Sequence, residues 1–345
     1  KEASAGQLQI IHRKVAQQMA ANSQYSDKAP VIANHFLFGG DLNNAFKWLL
    51  KSADHAWRLG IIEDAEEAYQ QAEKILMNAP DGVFGSEDYL HLYEQWGEFA
   101  YYSNQTDLLE QLGAKLQYVG GRKNNPLLTA TSQVLSANAC FLRLEFDTAI
   151  DLVDDAIETF EIINEQQALV KAVKRKSVLC WWMMNYDQAE KAARKVIELI
   201  KQNDLPEHLQ ISLEYNAHYF LNHINYTHGE AKSTLHDVEK LHKKYFHKLE
   251  LIDRLKSFYL LTQLNLAAAN YETCYRNAKQ GLEIANLLGN TFTKEAILLS
   301  MSKAEFIQGR LDQSYHHAFE ALKSAERENR KPSIISANCI LGDIF

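Results

Sequence analysis

The stretch that decides the fold reads Phe146-Asp147-Thr148-Ala149, because the same pattern returns along the chain. An apolar residue, an acid and a small residue stand in the same order in Tyr186-Asp187-Gln188-Ala189, Tyr271-Glu272-Thr273-Cys274 and Leu311-Asp312-Gln313-Ser314. The first two copies lie 40 residues apart, and so do the last two. A constant spacing of this length is typical of proteins built from stacked copies of one supersecondary unit.

A second series of small residues keeps the same period: Gly97, Ala137, Ser177, Ala217, Thr262, Ser302 and Gly342. Successive members are 40 residues apart, except for Ala217 and Thr262, which are 45 apart. We assign the five additional residues to 241–255, where a basic stretch would extend a helix or lengthen a loop. The series also predicts close backbone contacts, namely Ala137 with Ala149, Ser177 with Ala189, and Ala217 with Ala231.

Each period divides into two amphipathic helices, as the helical spacing of apolar residues in 127–144 and 148–164 indicates. The acids of the motifs are predicted to cap the second helix of each pair: Asp147, Asp187, Glu272 and Asp312. We therefore predict an all-α fold, a right-handed superhelical solenoid of helical hairpins with a period of about 40 residues. Residues 1–40 would form an N-terminal helical lead-in, and residues 41–345 a solenoid of about seven hairpins, truncated within the last one.

The composition narrows the classes of function. A formal net charge of −8 argues against a nucleic-acid surface, since such surfaces are usually basic. No apolar run approaches the ~18 residues of a membrane span, and the start of the chain lacks a signal-peptide pattern. The four cysteines fall at repeat positions expected to pack, and none has a CxxC neighbour. We therefore predict buried free thiols and a cytoplasmic location.

No constellation of residues points to catalysis. The 13 histidines form no HExxH motif and have no CxxC partner, so we predict no metal site. The chain also contains no GxSxG, GxGxxG or P-loop pattern. These observations predict a protein that binds a partner, is not an enzyme and needs no cofactor.

The repeats resemble tetratricopeptide repeats. The resemblance covers residues 41–345 and is carried by Trp96-Gly97, Leu341-Gly342 and the runs that begin at Phe146 and Tyr186. Residues 35–45 and 53–60 are similar to the segment that begins the repeat region in bacterial STAND-type regulatory ATPases of the maltose-activator class and in their cyclase- or kinase-linked relatives. This second resemblance implies the binding region of a larger multidomain signalling protein.

In such solenoids the first helix of each hairpin lines the concave face, so positions −3, +1 and +4 around each small residue predict the side chains that face a ligand. The candidate ligand-binding residues are Glu94, Glu98, Tyr101, Asn138, Phe141, Lys174, Trp181, Glu214, His218, Tyr259, Gln263 and Lys303. An apolar stripe runs through Tyr101, Phe141, Trp181, Leu221, Leu266 and Phe306. The stripe is either packed core between repeats or the floor of a peptide groove. Asn138 and Lys174 lack the companions that the carboxylate clamp of chaperone-binding relatives needs.

We predict a non-catalytic protein- or peptide-binding module that acts as the sensor or scaffold region of a larger cytoplasmic protein. The bound segment would come from the same polypeptide or from a partner protein, and not from nucleic acid or a membrane. The alternative is a small-molecule sensor of a transcriptional regulator, in which Trp181 and Trp182 stack on a sugar or metabolite ring. At the truncated C-terminal end we expect poorly covered side chains and fraying or self-association; these side chains are Leu322, Ile335, Ile340 and Leu341.

Overall fold

A computed structural model describes residues 5–80 and 82–344, and within these ranges the chain folds into 17 α-helices and no β-strand. The helices are α1 (Ala5–Ala20), α2 (Ala29–Phe38), α3 (Leu42–Arg58), α4 (Ile62–Asn78), α5 (Ser86–Tyr102), α6 (Thr106–Lys123), α7 (Pro126–Leu142), α8 (Phe146–Ile162), α9 (Gln166–Trp182), α10 (Tyr186–Gln202), α11 (Glu207–Thr227), α12 (Ala231–Tyr245), α13 (Leu251–Ala267), α14 (Tyr271–Leu287), α15 (Thr291–Ile307), α16 (Leu311–Arg327) and α17 (Lys331–Ile344). Short 3₁₀ segments lie at Ser23–Lys28 and Phe246–Lys248. The predicted all-α superhelical solenoid is confirmed.

Helices α3 to α16 form seven consecutive pairs, and α17 packs against α15 and α16. The turn inside each pair contains one residue with a positive φ angle: Asn104, Leu144, Met184, Gly229, Ala269 and Gly309 serve the pairs from α5/α6 to α15/α16. A left-handed residue at this place ends the first helix and turns the chain into the second. These residues therefore mark the same structural position in every repeat.

The turn residues correct the register of the fifth pair. Each lies seven residues after its small residue, so the residue of α11 that matches Ala137 and Ser177 is Asn222, seven before Gly229. The prediction of Ala217 at this position was wrong, because a small residue happens to stand 40 residues after Ser177. The five additional residues therefore precede Asn222 and do not lie in 241–255. They lengthen the α10–α11 connection and α11 itself, which has 21 residues where α9 has 17.

Buried small residues fill the contacts between paired helices. Ala137, Ala149 and Ala189 are fully buried, and Ser177 is 1% exposed, in agreement with the predicted contacts. In the fifth pair the residue of α12 that matches Ala149 is Thr234, which is 1% exposed and lies twelve positions after Asn222, while Ala231 lies half-buried at the start of the helix. The Ala217–Ala231 prediction was therefore wrong for the same reason of register. Ala217 is instead buried with Val196 and Leu213.

The second helices begin one residue earlier than their predicted caps. They start at Phe146, Tyr186, Tyr271 and Leu311, so the motif acids are not N-caps but the second residues of their helices. In α10 the cap is Asn185, whose side chain accepts a hydrogen bond from the backbone N–H of Gln188. The acids remain in the first turn, where negative charge is favoured by the helix dipole.

Two further predictions about burial were wrong at the C-terminal helix. Cys140, Cys180 and Cys274 are buried free thiols, but Cys339 is exposed because α17 packs through its other face, which buries Ala337 and Ile340. Ile340 is only 5% exposed and is therefore well covered, contrary to expectation. Leu322 and Leu341 are half-buried, and Ile335 is 63% exposed, as expected of this end.

The superhelix completes a turn, so that early and late pairs meet. The backbone at Gly60 approaches Leu287, to whose carbonyl oxygen an added Cβ would come within 2.7 Å. The Nδ2 of Asn290 donates a hydrogen bond of 3.0 Å to the carbonyl oxygen of Tyr102, nearly 190 residues away in sequence. We call this set of contacts the ring closure. It encloses an axial space lined by the first helices of the pairs. No helix in the described part of the chain is long and apolar enough to cross a membrane.

Candidate functional site

The axial space contains a groove with a volume of about 730 Å³, which we call the central groove. Its lining comes from the C-terminal ends of α5, α7 and α9, the middle of α11 and α13, and the N-terminal halves of α15 and α17. The groove therefore crosses the first helices obliquely. The oblique course follows from the superhelical twist, which shifts successive helices along the axis. The groove therefore meets each first helix at a different point along its length.

Aromatic side chains form one wall of the central groove. Tyr101 contacts Phe141 with ring centroids 5.9 Å apart, and Phe141 contacts Trp182 at 5.8 Å. Trp182 in turn meets Phe292 of α15 at 5.4 Å, which joins the two sides of the superhelix. Trp181 is half-buried and packs edge-to-face on Trp182. Such rings offer large, rigid contact surfaces to a ligand.

A buried histidine lies in the same wall. His223 of α11 is 4% exposed and packs between Trp181 and Tyr259, with ring centroids 5.1 and 5.9 Å away. Its Nε2 lies 2.9 Å from the Tyr219 hydroxyl, which satisfies one ring nitrogen. Burial lowers the pKa of His223 to about 3, since the charged form would lose its hydration among aromatic rings. The imidazole is therefore neutral at physiological pH.

Polar side chains form the opposite wall. The Nε2 of Gln263 donates to the Oγ of Ser300 at 2.9 Å. Arg330 makes a bidentate pair with the fully buried Glu295, at 2.6 and 2.9 Å. Lys303 is exposed at the rim. The central groove thus combines an aromatic wall with hydrogen-bonding groups across from it.

Beyond the aromatic wall, the axial space is lined by a charged cluster that consists of Glu94, Glu98, Lys171, Lys174, Arg175, Asp253 and Lys256. Lys171 pairs with Glu94 at 2.9 Å, and Lys256 pairs with Asp253 at 3.0 Å. Asp253 is 2% exposed and also accepts hydrogen bonds from Ser212 and Asn216. Burial opposes the charge of Asp253, but Lys256, with smaller contributions from Lys174 and the two hydrogen bonds, outweighs it and holds the pKa of that carboxyl below its ordinary value.

The structure brings half of the predicted ligand-binding residues together. Tyr101, Phe141, Trp181, Tyr259, Gln263 and Lys303 line the central groove. Glu94, Glu98 and Lys174 belong to the charged cluster. His218 lines a separate cavity of about 430 Å³ between α10, α11 and α12, and Glu214 lies near Lys244 at 3.9 Å. Asn138 is 6% exposed, and its Oδ1 has no hydrogen-bond partner within the described residues.

Several groove residues were missed by the sequence reasoning. Tyr219 and His223 stand three before and one after Asn222, so the corrected register of α11 would have found both. Trp182 and Phe292 lie outside the three positions that were considered, although Trp182 is adjacent to one of them. Lys256 lies six residues before Thr262, which is one helical turn before the positions that were predicted. It lines the groove because the groove runs obliquely across α13.

Solved structures with the same fold include two Rap proteins. The chain is similar to the Rap conjugation gene regulator of the plasmid pLS20 in complex with the Phr* peptide, with a TM-score of 0.64 and 14% identity over 94% of this chain and 96% of that one. It is also similar to a Rap protein complexed with competence and sporulation factor, with a TM-score of 0.57 and 10% identity over 99% of this chain and 97% of that one. No family model matches the chain, and no curated protein matches its sequence.

A third similar structure is a STAND protein with a tetratricopeptide repeat sensor from Pyrococcus horikoshii, with a TM-score of 0.47 and 14% identity over 91% of this chain and 42% of that one. At these identities the likenesses concern the fold alone. The fold is that of a tetratricopeptide-like helical repeat protein, as the 40-residue period and its motifs predict.

Proposed function

We propose that this chain is a non-catalytic repeat module that binds a short peptide segment in the central groove. The observation that carries the proposal is an aromatic-walled groove of about 730 Å³, enclosed by the superhelix and faced by hydrogen-bonding side chains. Aromatic anchors with scattered polar groups are the features that recognition surfaces use. The volume lies in the ~300–1,000 Å³ range of ligand pockets, which suits a short segment and is too small for a folded domain.

The two similar Rap structures are complexes, one with the Phr* peptide and the other with competence and sporulation factor. These ligands belong to those proteins, and they support the same kind of use for a groove in this fold. A sugar or metabolite that stacks on Trp181 and Trp182 has less support, because the two rings meet edge-to-face. Trp182 is also contacted by Phe146 and Phe292, so part of its ring surface is already covered by protein side chains.

The wider role belongs to the same proposal. The module would act as the sensor or scaffold region of a larger cytoplasmic signalling or regulatory protein, and its ligand would come from the same polypeptide or from a partner. A segment in the central groove would contact helices from both sides of the ring closure, and so would favour the closed superhelix over more open forms. The exposed Ile335 on α17 makes that helix the candidate surface for self-association.

Affinity selection from a random hexapeptide pool, read by mass spectrometry, tests the proposal. The wild-type chain is expected to retain a subset of sequences, and Trp181→Ala should lower their affinity at least tenfold by removing a groove anchor. Trp48→Ala is the matched control, since Trp48 is also half-buried but lies on α3 outside the groove. Retention of no peptide, or equal losses in both variants, would contradict the proposal.

A further inference from the structure

Two cations of the charged cluster have no ion-pair partner among the described residues. Arg175 is 9% exposed, and its guanidinium packs over the ring of Tyr101 at 4.1 Å without an ion pair or hydrogen bond among the described residues. The ammonium of the neighbouring Lys174 has no such partner there either. Buried or half-buried cations are normally paired, because removing a charge from water is costly. Two adjacent exceptions are therefore unusual.

The nearby acidic side chains do not neutralise the positive charge of these two cations. Glu94 is bound to Lys171, and Asp253 is bound to Lys256, Ser212 and Asn216. Glu98 is exposed to solvent and forms no ion pair with Lys174. The cluster holds four cations and three acids, so its net charge is positive inside a chain of net charge −8. Burial and then the charge of Lys256, with a smaller contribution from Arg175, lower the pKa of Lys174 to about 8.

The unpaired cations adjoin the central groove. Lys174 lies one helical turn before Val178 and two turns before Trp181 on α9, and both of these residues line the groove. Arg175 lies against Tyr101, and Lys256 is itself a lining residue. Lys174 and Arg175 do not line the groove themselves, but they lie next to residues that do, so a ligand in the groove would lie beside them.

We propose that Lys174 and Arg175, with Lys256 beside them, form an anion subsite that binds a carboxylate of the peptide in the central groove. The inference rests on the proposed function and adds a requirement on the ligand. The carboxylate belongs either to the C-terminus of the peptide or to an Asp or Glu side chain. A guanidinium and an ammonium next to each other form short, charge-assisted hydrogen bonds to both oxygens of such a group. The arrangement uses adjacent residues of one helix and a lysine across the axial space, rather than Lys and Asn residues on adjacent repeats.

The test compares two random hexapeptide pools, one with free C-termini and one with amidated C-termini. Wild-type chain is expected to enrich peptides that carry a carboxylate. Enrichment confined to the free pool assigns the carboxylate to the C-terminus, and enrichment of Asp or Glu in both pools assigns it to a side chain. Lys174→Met and Arg175→Gln should each weaken the selected peptides at least tenfold, while Lys176→Met is the control, because Lys176 pairs with Asp154 instead.

A second readout follows Lys174 directly by NMR of ¹³C-labelled lysine side chains. Its pKa should rise from about 8 when a selected peptide binds, since a bound carboxylate stabilises the ammonium. Peptides retained without carboxylate preference, or a preference that survives Lys174→Met and Arg175→Gln, would overturn the anion subsite but leave peptide binding intact. Retention of no peptide at all would overturn the proposed function and the subsite with it.

Discussion

At the scale of single residues, burial determines the chemistry of the groove. His223 is held neutral because Trp181, Tyr219 and Tyr259 surround it and exclude water. It serves as a packing and hydrogen-bonding residue, and it is not available as an acid or base near neutral pH. Lys174 is the opposite case, since it keeps a charge that forms no ion pair among the described residues.

The pKa of His223 predicts loss of stability in mild acid. The folded-state pKa of about 3 lies below the ordinary value of 6.5, so the unfolded chain binds more protons between these values. The stabilising contribution is complete above pH 6.5 and is lost as the pH falls. Denaturant unfolding should show a decrease of roughly 2 kcal/mol in unfolding free energy from pH 6.5 to 4.5.

His223→Gln should remove most of the slope of unfolding free energy against pH, whatever its effect on the stability at neutral pH. His236→Gln on the exposed face of α12 should leave the slope unchanged. A slope that persists in His223→Gln would show that other groups cause the acid sensitivity.

Single residues of the site were predictable where they follow the repeat. Tyr101, Phe141 and Trp181 stand four residues after their small residue, and all three line the groove. Lys256 and Phe292 depend on how far the superhelix has rotated by α13 and α15, and that rotation accumulates from packing angles between helices. No local pattern in the sequence encodes it.

At the scale of elements, the turns inside the helical pairs determine the register. A single left-handed residue ends the first helix of each pair, and glycine occupies it only in the turns at Gly229 and Gly309 among those from α5/α6 onward. In the α13/α14 turn Ala269 holds the position at a φ angle of 59°. The correct register of α11 could have been predicted from the sequence, because Gly229 and Gly309 occupy the same turn position in their repeats. The longer α11 concealed this match.

Ala269→Gly should stabilise the protein slightly. Relief of the left-handed strain amounts to ~1–2 kcal/mol for a residue with a Cβ, and the greater freedom of glycine in the unfolded chain offsets ~0.5–1 kcal/mol of it. The adjacent Ala268 has an ordinary φ angle of −83°, so Ala268→Gly carries only the entropic cost. Thermal and denaturant unfolding should therefore separate the two variants by ~1–2 kcal/mol, because both carry the entropic cost and only Ala269→Gly relieves the strain. Equal destabilisation would show that the turn does not hold Ala269 in this conformation.

At the scale of the whole molecule, the ring closure makes a long repeat array into an enclosed site. Phe292 and Asn290 reach the groove from α15 and its preceding turn only because the late pairs return to the early ones. The 40-residue period predicts a superhelix, but how tightly it winds depends on contacts between residues nearly 190 positions apart, such as Asn290 with Tyr102. This distant pairing is the part of the fold that the sequence could not reveal.

Two glycines allow the ring closure to be tested with a matched pair. Gly60 and Gly309 have nearly equal φ angles of +75° and +74°, so an alanine strains both backbones alike. At Gly60 the added Cβ would also lie 2.7 Å from the carbonyl oxygen of Leu287, while nothing lies within 4 Å at Gly309. Small-angle X-ray scattering should show a larger radius of gyration for Gly60→Ala alone. Identical scattering from the two variants would mean that the ends do not meet in solution.

Photo-cross-linking can locate a peptide bound in the central groove. Peptides selected from the hexapeptide pool are resynthesised with a benzoylphenylalanine at an aromatic position, irradiated on the wild-type chain, and mapped by mass spectrometry. We expect adducts on groove residues of α7, α9, α13 and α15, including Phe141, Trp181, Tyr259 and Phe292. Adducts concentrated on the outer helices of the pairs, or on the exposed apolar residues of α1 and α2, would contradict it.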